Sequence, residues 1–484
     1  MKRLFVSFAR TTRVICIALV VMLCVGCRYG IFEETSASAQ QDSTLDLAVC
    51  SLNGVPLKEY CLVYADSDAD YNYRAARFIQ TEIERRTGIR LEVCGDYLPA
   101  QRYEIVVGDA DREISKNLQA DTQNVQFAIW ADNGKIALEG DYFIIAAAAY
   151  FFVETYIPEG VFDAVIPQEV MIFEPIQKEV KNIIFLIGDG MGSGQTRLFD
   201  VMNVSDSEAS IYSDGEDVFY GYYFPSQGRV RTNSLSGVTD SAAASTALST
   251  GYKTKNKYIG KNSMGKDVQS LTELAAELGK ATAVMSTESE TGATPAGFSA
   301  HVLNRDDSEG IAASQEILKN EYGTKIKCGY NVYDSVGVDQ MRTDIRKTLT
   351  ELSSDDDGFF LMFEEAYIDK HCESNNLSKT FCALIRFNQA IGVFMEYAFY
   401  HPDTLVLITA DHETGGLTKD LSGAYVYSTT KHTESNVPVF AYGMNAGVFN
   451  NRVIENTQIP KTLAHIMGKE DFGARDQYAS LFAQ

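Results

Sequence analysis

The chain is short of several residue types, and each shortage excludes a class of protein. Among its 484 residues, 42 Lys and Arg face 65 Asp and Glu, for a formal charge of −23. A surface that binds nucleic acid must neutralise backbone phosphates, so no nucleic-acid binding is expected. After Cys27 there are six cysteines (Cys50, Cys61, Cys94, Cys328, Cys372 and Cys382) and no CxxC pair. That excludes a thiolate zinc site, a redox pair and a disulfide scaffold. Histidine is scarce at six copies, and there is no low-complexity tract. What remains is 45% apolar residues and 36 glycines, the composition of a folded globular enzyme with many tight turns. The length calls for two domains or one enlarged α/β domain.

No apolar run at the N-terminus reaches the length of about 20 residues that a membrane span needs. Lys2, Arg3, Arg10 and Arg13 precede an uncharged stretch from Val14 to Cys27, which reads as an export signal over residues 1–27. Leu23-Cys24-Val25-Gly26-Cys27 resembles a bacterial lipoprotein box, with Cys24 where such boxes usually carry Leu. Cys27 is then the residue expected to carry a membrane lipid anchor on an exported protein, with ordinary cleavage and secretion as the alternative. Residues 28–47, rich in Ser, Thr, Gln and Glu, read as a flexible tether.

Residues 48–167 are expected to form a small α/β domain. Strands are predicted at Tyr60–Tyr64, Ile89–Val93 and Glu104–Val107, and a helix at Tyr71–Arg86, where apolar side chains recur at helical spacing before Gly88. Asp132-Asn133-Gly134 between two apolar runs predicts a hairpin. No His cluster or catalytic carboxylate pair appears here. The Tyr103–Asp109 stretch and the Ala-rich helix after Gly140 weakly resemble small domains placed ahead of catalytic domains in secreted carbohydrate-active enzymes.

Residues 180–484 carry the chemistry. Short apolar strands at Asn182–Ile187, Ala281–Met285, Phe359–Phe363, Thr404–Thr409 and Pro438–Ala441 alternate with helical patterns. This predicts a three-layer α/β/α sandwich around a mostly parallel sheet. Asp189, Glu364, Asp411 and His412 each follow such a strand, and ligands bind at that carboxyl edge in open α/β sheets. Thr239 or Asp240 is placed to cap a helix whose first turn contains Ser241, where free N–H groups favour an alkoxide and a phosphoryl oxygen. Asp369, Asp411, His412 and His432 are residue types that suit zinc. His401 and His465 read as ordinary packing histidines.

Taken in order, Asn182 to Gly192, Val238-Thr239-Asp240-Ser241-Ala242-Ala243 through Thr254, Ala293-Thr294-Pro295-Ala296, Ala300-His301-Val302 with Arg305, Glu364 with Ile368-Asp369-Lys370, Thr409 to Gly416, and Lys431-His432-Thr433 resemble the signature segments of the alkaline phosphatase family. The resemblance implies hydrolysis of phosphate monoesters through a phosphoserine at Ser241, with two Zn²⁺ and one Mg²⁺ per chain. It implies that Asp189 bridges one zinc and the magnesium, that Asp411 and His412 complete that zinc, and that Thr294 and Glu364 serve the magnesium. Asp369 and His432 would hold the second zinc, Arg305 would clamp the phosphate, and His301 matches no ligand. A homodimer is compatible with it.

Two departures stand out. Glu373 occupies the place, four residues after Asp369, where the family carries His; it is expected to ligate in its stead and to admit Mn²⁺, with His371 as the alternative ligand. Gly292 stands where relatives carry Asp or His near the magnesium. The alternative functions are a phosphodiesterase or phosphonate hydrolase on the same metal platform, and a non-catalytic cell-surface binding protein on a decayed phosphatase.

Overall fold

In the computed structural model, residues 50–67, 69–116, 125–202 and 218–483 are described. The expected signal, its Cys27 and the tether lie outside them. Among the described residues no helix is long and apolar enough to cross a membrane. Val49–Gln484 form one compact unit.

That unit is built on two sheets. The first has six strands in the order Val93–Gly95, Cys61–Tyr64, Glu104–Val107, Lys135–Glu139, Phe127–Asp132 and Met171–Phe173. Its first four are parallel, and the hairpin and last strand are antiparallel. Asn133 and Gly134 turn the hairpin with φ of 48° and 81°, the left-handed geometry that the Asn-Gly pair tolerates at little cost. Ile89–Val93, predicted as a strand, contributes only Val93. The segment just after the helix is used to bring the chain to the sheet edge, and pairing runs instead to Gly95. The helices Ala69–Thr87 and Ile145–Tyr156 pack on this sheet and on each other.

The second sheet has eight strands: Lys325–Cys328, Ala281–Ser286, Phe359–Glu365, Asn182–Gly188, Thr404–Thr409, Val437–Tyr442, Ser226–Arg231 and Val453–Glu455. The first five are parallel; Val437–Tyr442 runs antiparallel to both neighbours. The central strands are buried along their whole length, as parallel strands covered on both faces must be. Ser335–Leu352 and Leu377–Tyr400 form one helical layer, and Ser241–Thr250, Leu271–Glu277, Ala293–Gly297 and Gln458–Ile466 the other. This is the three-layer sandwich expected. Three strands were not anticipated: the edge strands Lys325–Cys328, which is largely polar, and Val453–Glu455, which is only three residues long, and Ser226–Arg231 beside the latter, again largely polar.

Leu377–Tyr400 joins the two sheets. Being apolar on nearly all sides, it packs both on the second sheet and on Ile145–Tyr156. Phe399 meets Phe143 with ring centroids 5.7 Å apart. Buried Glu396 receives Arg74 at 2.5 Å and Arg346 at 3.4 Å, so the charge left on this helix by its burial is offset from both sides. One hydrophobic cluster accordingly runs from Cys50 to Leu481.

Candidate metal centre

The carboxyl edge of the second sheet gathers the polar groups. The Asn182–Gly188 strand delivers Asp189, and the Thr404–Thr409 strand, paired with it, delivers Asp411 and His412. Asp411 Oδ1 accepts from the backbone N–H groups of Gly190 (3.1 Å) and His412 (2.8 Å), which turns Oδ2 into the site. Gly190 has φ +74° and lies so close to Asp369 that a Cβ there would stand 2.8 Å from its Cα. Glycine is needed here for both reasons.

Two groups of side chains converge closely enough to hold a cation: Asp189, Asp411 and His412, and Asp369, His412 and His432. His412 Nε2 lies 3.2 Å from Asp411 Oδ2 and 3.5 Å from Asp189 Oδ1, and His432 Nε2 is 3.5 Å from Asp369 Oδ1. The two imidazoles stack with centroids 3.5 Å apart. His432 Nδ1 lies 2.9 Å from the Thr239 carbonyl, so this ring nitrogen donates to it and leaves Nε2 a free lone pair. Thr414 donates to Asp369 and lies 3.2 Å from His412 Nδ1, linking the groups. Sequence reasoning gave Thr414 no role of its own and Thr239 only that of a candidate cap; the contacts seen here depend on packing across the edge.

The electrostatics are those of a site awaiting positive charge. Burial, then Asp411, Asp369, Glu364 and Glu288, raise the Asp189 carboxyl well above its usual range. Burial and then Glu288 do the same to Glu364, and burial raises Asp411. Burial and the neighbouring His432 push His412 down to about 3, so its ring is neutral with a lone pair to donate. Asp189 Oδ1, Asp411 Oδ2, Thr294 Oγ1 and Glu364 Oε1 are buried without hydrogen-bond partners. Leaving four such oxygens orphaned costs free energy, and a hard or borderline divalent cation is the partner they fit.

Ser241 opens the Ser241–Thr250 helix. Asp240 caps it by accepting from Ala243 N–H at 2.9 Å. Ser241 is buried, and its Oγ lies 3.3 Å from His412 Nε2. The guanidinium of Arg305, half-buried, is 3.6 Å from Asp240 Oδ2. Thr294 sits in the short Ala293–Gly297 helix, buried beside Glu364.

Two expected positions differ. Glu373 joins neither group of ligands: it is the last residue of the Tyr367–Glu373 helix and exposed, although burial and Asp369 raise its carboxyl while His432, Arg305 and Lys370 oppose them. His371 is held away from the metal groups, near Tyr367. Burial and then Arg386, Lys379 and Lys370 push it down to about 4. His301 is structural, between the Gly260 carbonyl at 2.7 Å and Glu273 Oε1 at 3.0 Å.

Fold and site together define a metal-dependent hydrolase on an α/β/α sandwich. The profile of the alkaline phosphatase family matches residues 180–329 and 339–431, and the chain belongs to that family. It is 26% identical over 338 residues to alkaline phosphatase 3 of Bacillus subtilis (strain 168), covering 59% of this chain and 71% of that protein. Alkaline phosphatase 4 of the same organism is 28% identical over 298 residues, 51% of this chain and 64% of that one. The structure of alkaline phosphatase from the Antarctic bacterium TAB5 superposes with a TM-score of 0.52 and 28% identity, over 60% of this chain and 99% of that one. The protein is thus a metal-dependent hydrolase of the phosphatase type.

Proposed function

We propose that this protein hydrolyses phosphate monoesters by way of a phosphoserine at Ser241. The observation that carries this reading is the place of Ser241, buried in the first turn of a capped helix with Oγ 3.3 Å from His412 Nε2, between the two groups of ligands. The two Bacillus subtilis relatives, both alkaline phosphatases, support the substrate class.

Asp189, Asp411 and His412 would hold one zinc, and Asp369 and His432 the second, with Glu373 at its rim. Asp189, Thr294 and Glu364 would hold magnesium. When bound, these cations supply Lewis acidity that activates the serine hydroxyl and offsets charge on the phosphoryl and leaving oxygens. Ser241 gives up its proton and forms the Oγ–P bond as the P–O bond to the alcohol breaks; the alkoxide takes up a proton and departs. Water then cleaves the phosphoserine, restoring the hydroxyl and releasing inorganic phosphate. The N–H groups of the first helical turn and the Arg305 fork receive the phosphoryl oxygens, Arg305 being steered by Asp240. A dianionic monoester rewards that fork more than a diester does.

Brief exposure to an aryl phosphate followed by acid quenching should leave one phosphate on the peptide containing Ser241, read by mass spectrometry. Label on another peptide, or undiminished turnover in Ser241→Ala, sinks the covalent route. Export with a lipid anchor at Cys27 belongs to the same proposal, on sequence grounds alone: wild type should partition into detergent and Cys27→Ala should not.

A further inference from the structure

The Ala281–Ser286 strand ends beside the site in a loop that carries Glu288, a carboxylate for which the ligand assignment above has no use. Its position is held at three points. Glu288 N–H donates to Ser286 Oγ at 3.1 Å, and that hydroxyl donates to Glu364 Oε2 at 2.5 Å, tying the loop to a ligand. Lys370, next to Asp369, approaches Glu288 Oε2 at 2.5 Å. The carboxylate itself lies over Gly292, where an added Cβ would stand 2.1 Å from Oε1 and 2.9 Å from Cγ.

Gly292 has φ −57° and ψ 155°, a conformation open to any residue. The backbone does not ask for glycine there; the space does, because Glu288 fills it. A lysine pair at the rim of a pocket contributes little stability. A carboxylate whose loop is tied to Glu364 through Ser286, and which fills the space over Gly292 two residues before the orphaned Thr294 hydroxyl, is placed to serve a cation.

We propose that Glu288 is a positioning residue for the divalent ion of the Asp189, Thr294 and Glu364 site, acting from the place a side chain at residue 292 would fill, with Lys370 balancing its charge. Magnesium keeps several of its waters, and Glu288 anchors that shell rather than adding a close ligand. The proposal rests on the magnesium reading above.

The test is calorimetric titration of MgCl₂ into the full-length, zinc-loaded protein, with zinc content and melting temperature measured alongside. Glu288→Gln should weaken magnesium binding about tenfold or more while zinc content and melting temperature hold. Gly292→Asp introduced into Glu288→Ala should recover most of the affinity that Glu288→Ala loses, because the space is then free. Unchanged magnesium affinity in Glu288→Gln overturns the proposal and leaves the magnesium reading standing. Equal loss of zinc, magnesium and melting temperature makes Glu288 merely structural and also overturns it. A double variant no better than Glu288→Ala removes the substitution for residue 292. Wild type that binds no magnesium overturns both readings.

Discussion

Glu364 and Glu365 are consecutive residues of one strand, both fully buried, and they meet opposite fates. Each keeps one oxygen without a hydrogen-bond partner, but the other oxygen of Glu365 receives Arg386 at 2.9 Å, while that of Glu364 meets only the Ser286 hydroxyl. The two sheets repeat this contrast on a larger scale. In the first, buried Glu104 is neutralised by Arg112 at 3.0 Å and Lys135 at 2.8 Å, cations from the same stretch of chain. In the second, Asp189, Glu364 and Asp411 are buried together, and among the described residues no lysine or arginine forms an ion pair with them. A buried acid paired within the chain serves the fold; a group of acids left unpaired costs stability and is retained for an external cation.

The largest expected effect breaks the second half of the contrast. Asp411→Ala removes an acid on which one ligand group depends, and kcat/KM on an aryl phosphate should fall by at least about 10²–10³-fold together with zinc content. A chelator should reproduce the loss in wild type, and readdition of zinc and magnesium should reverse it there but not in the variant. Retained zinc with full activity would mean that these acids are not ligands.

The first half is broken by Arg112→Ala, which leaves Glu104 with Lys135 alone. Removing one member of a buried pair costs about 3–5 kcal/mol. Urea unfolding should show that loss while zinc content and kcat/KM of the folded protein stay at wild-type values. A fall in zinc content would show that the two sheets do not divide structure from chemistry in this way.

Glu139 sharpens the comparison, as an acid of the first sheet without a cation. Burial raises its carboxyl to about 8 from an ordinary 4.5, with Asp109 and Asp141 adding and Ser115 opposing. The folded state therefore holds a proton that the unfolded chain releases, and this contribution to stability falls as pH rises from about 4.5 to about 8. Glu139→Gln should flatten that part of the profile of melting temperature against pH, making the variant the more stable form near pH 8. An unaltered slope would mean that Glu139 is charged in the fold.

The smallest effect is expected at Glu373. Because it is exposed and outside both ligand groups, Glu373→Ala should reduce zinc content far less than Asp369→Ala, and Glu373→His should tighten zinc binding by extending a neutral donor toward Asp369 and His432. Zinc loss in Glu373→Ala matching that of Asp369→Ala would restore it as a full ligand.

Much of this site was legible along the chain. Asp189, Asp411 and His412 were found because each follows a buried parallel strand, and adjacent parallel strands end at one edge. Ser241 was found because Asp240 caps a helix in its own neighbourhood. Glu373 was singled out by helical spacing, which says which residues share a face and not where the helix stops; the structure leaves it outside the two close groups. Glu288 was passed over because its loop has no periodicity and because Lys370 and Glu364, the groups that give its place meaning, come from another helix and another strand.

The sequence by itself determined the acidic charge, the five apolar strands of the second sheet and the residue types for metal and phosphoryl chemistry. These depend on composition, periodicity and hydrogen bonds between near neighbours. Only the tertiary structure decided which buried acids find an arginine and which do not, that His412 stands in both ligand groups, and that Glu288 fills the space above Gly292. Those outcomes depend on distances between side chains far apart in the chain, and packing across a sheet edge sets them.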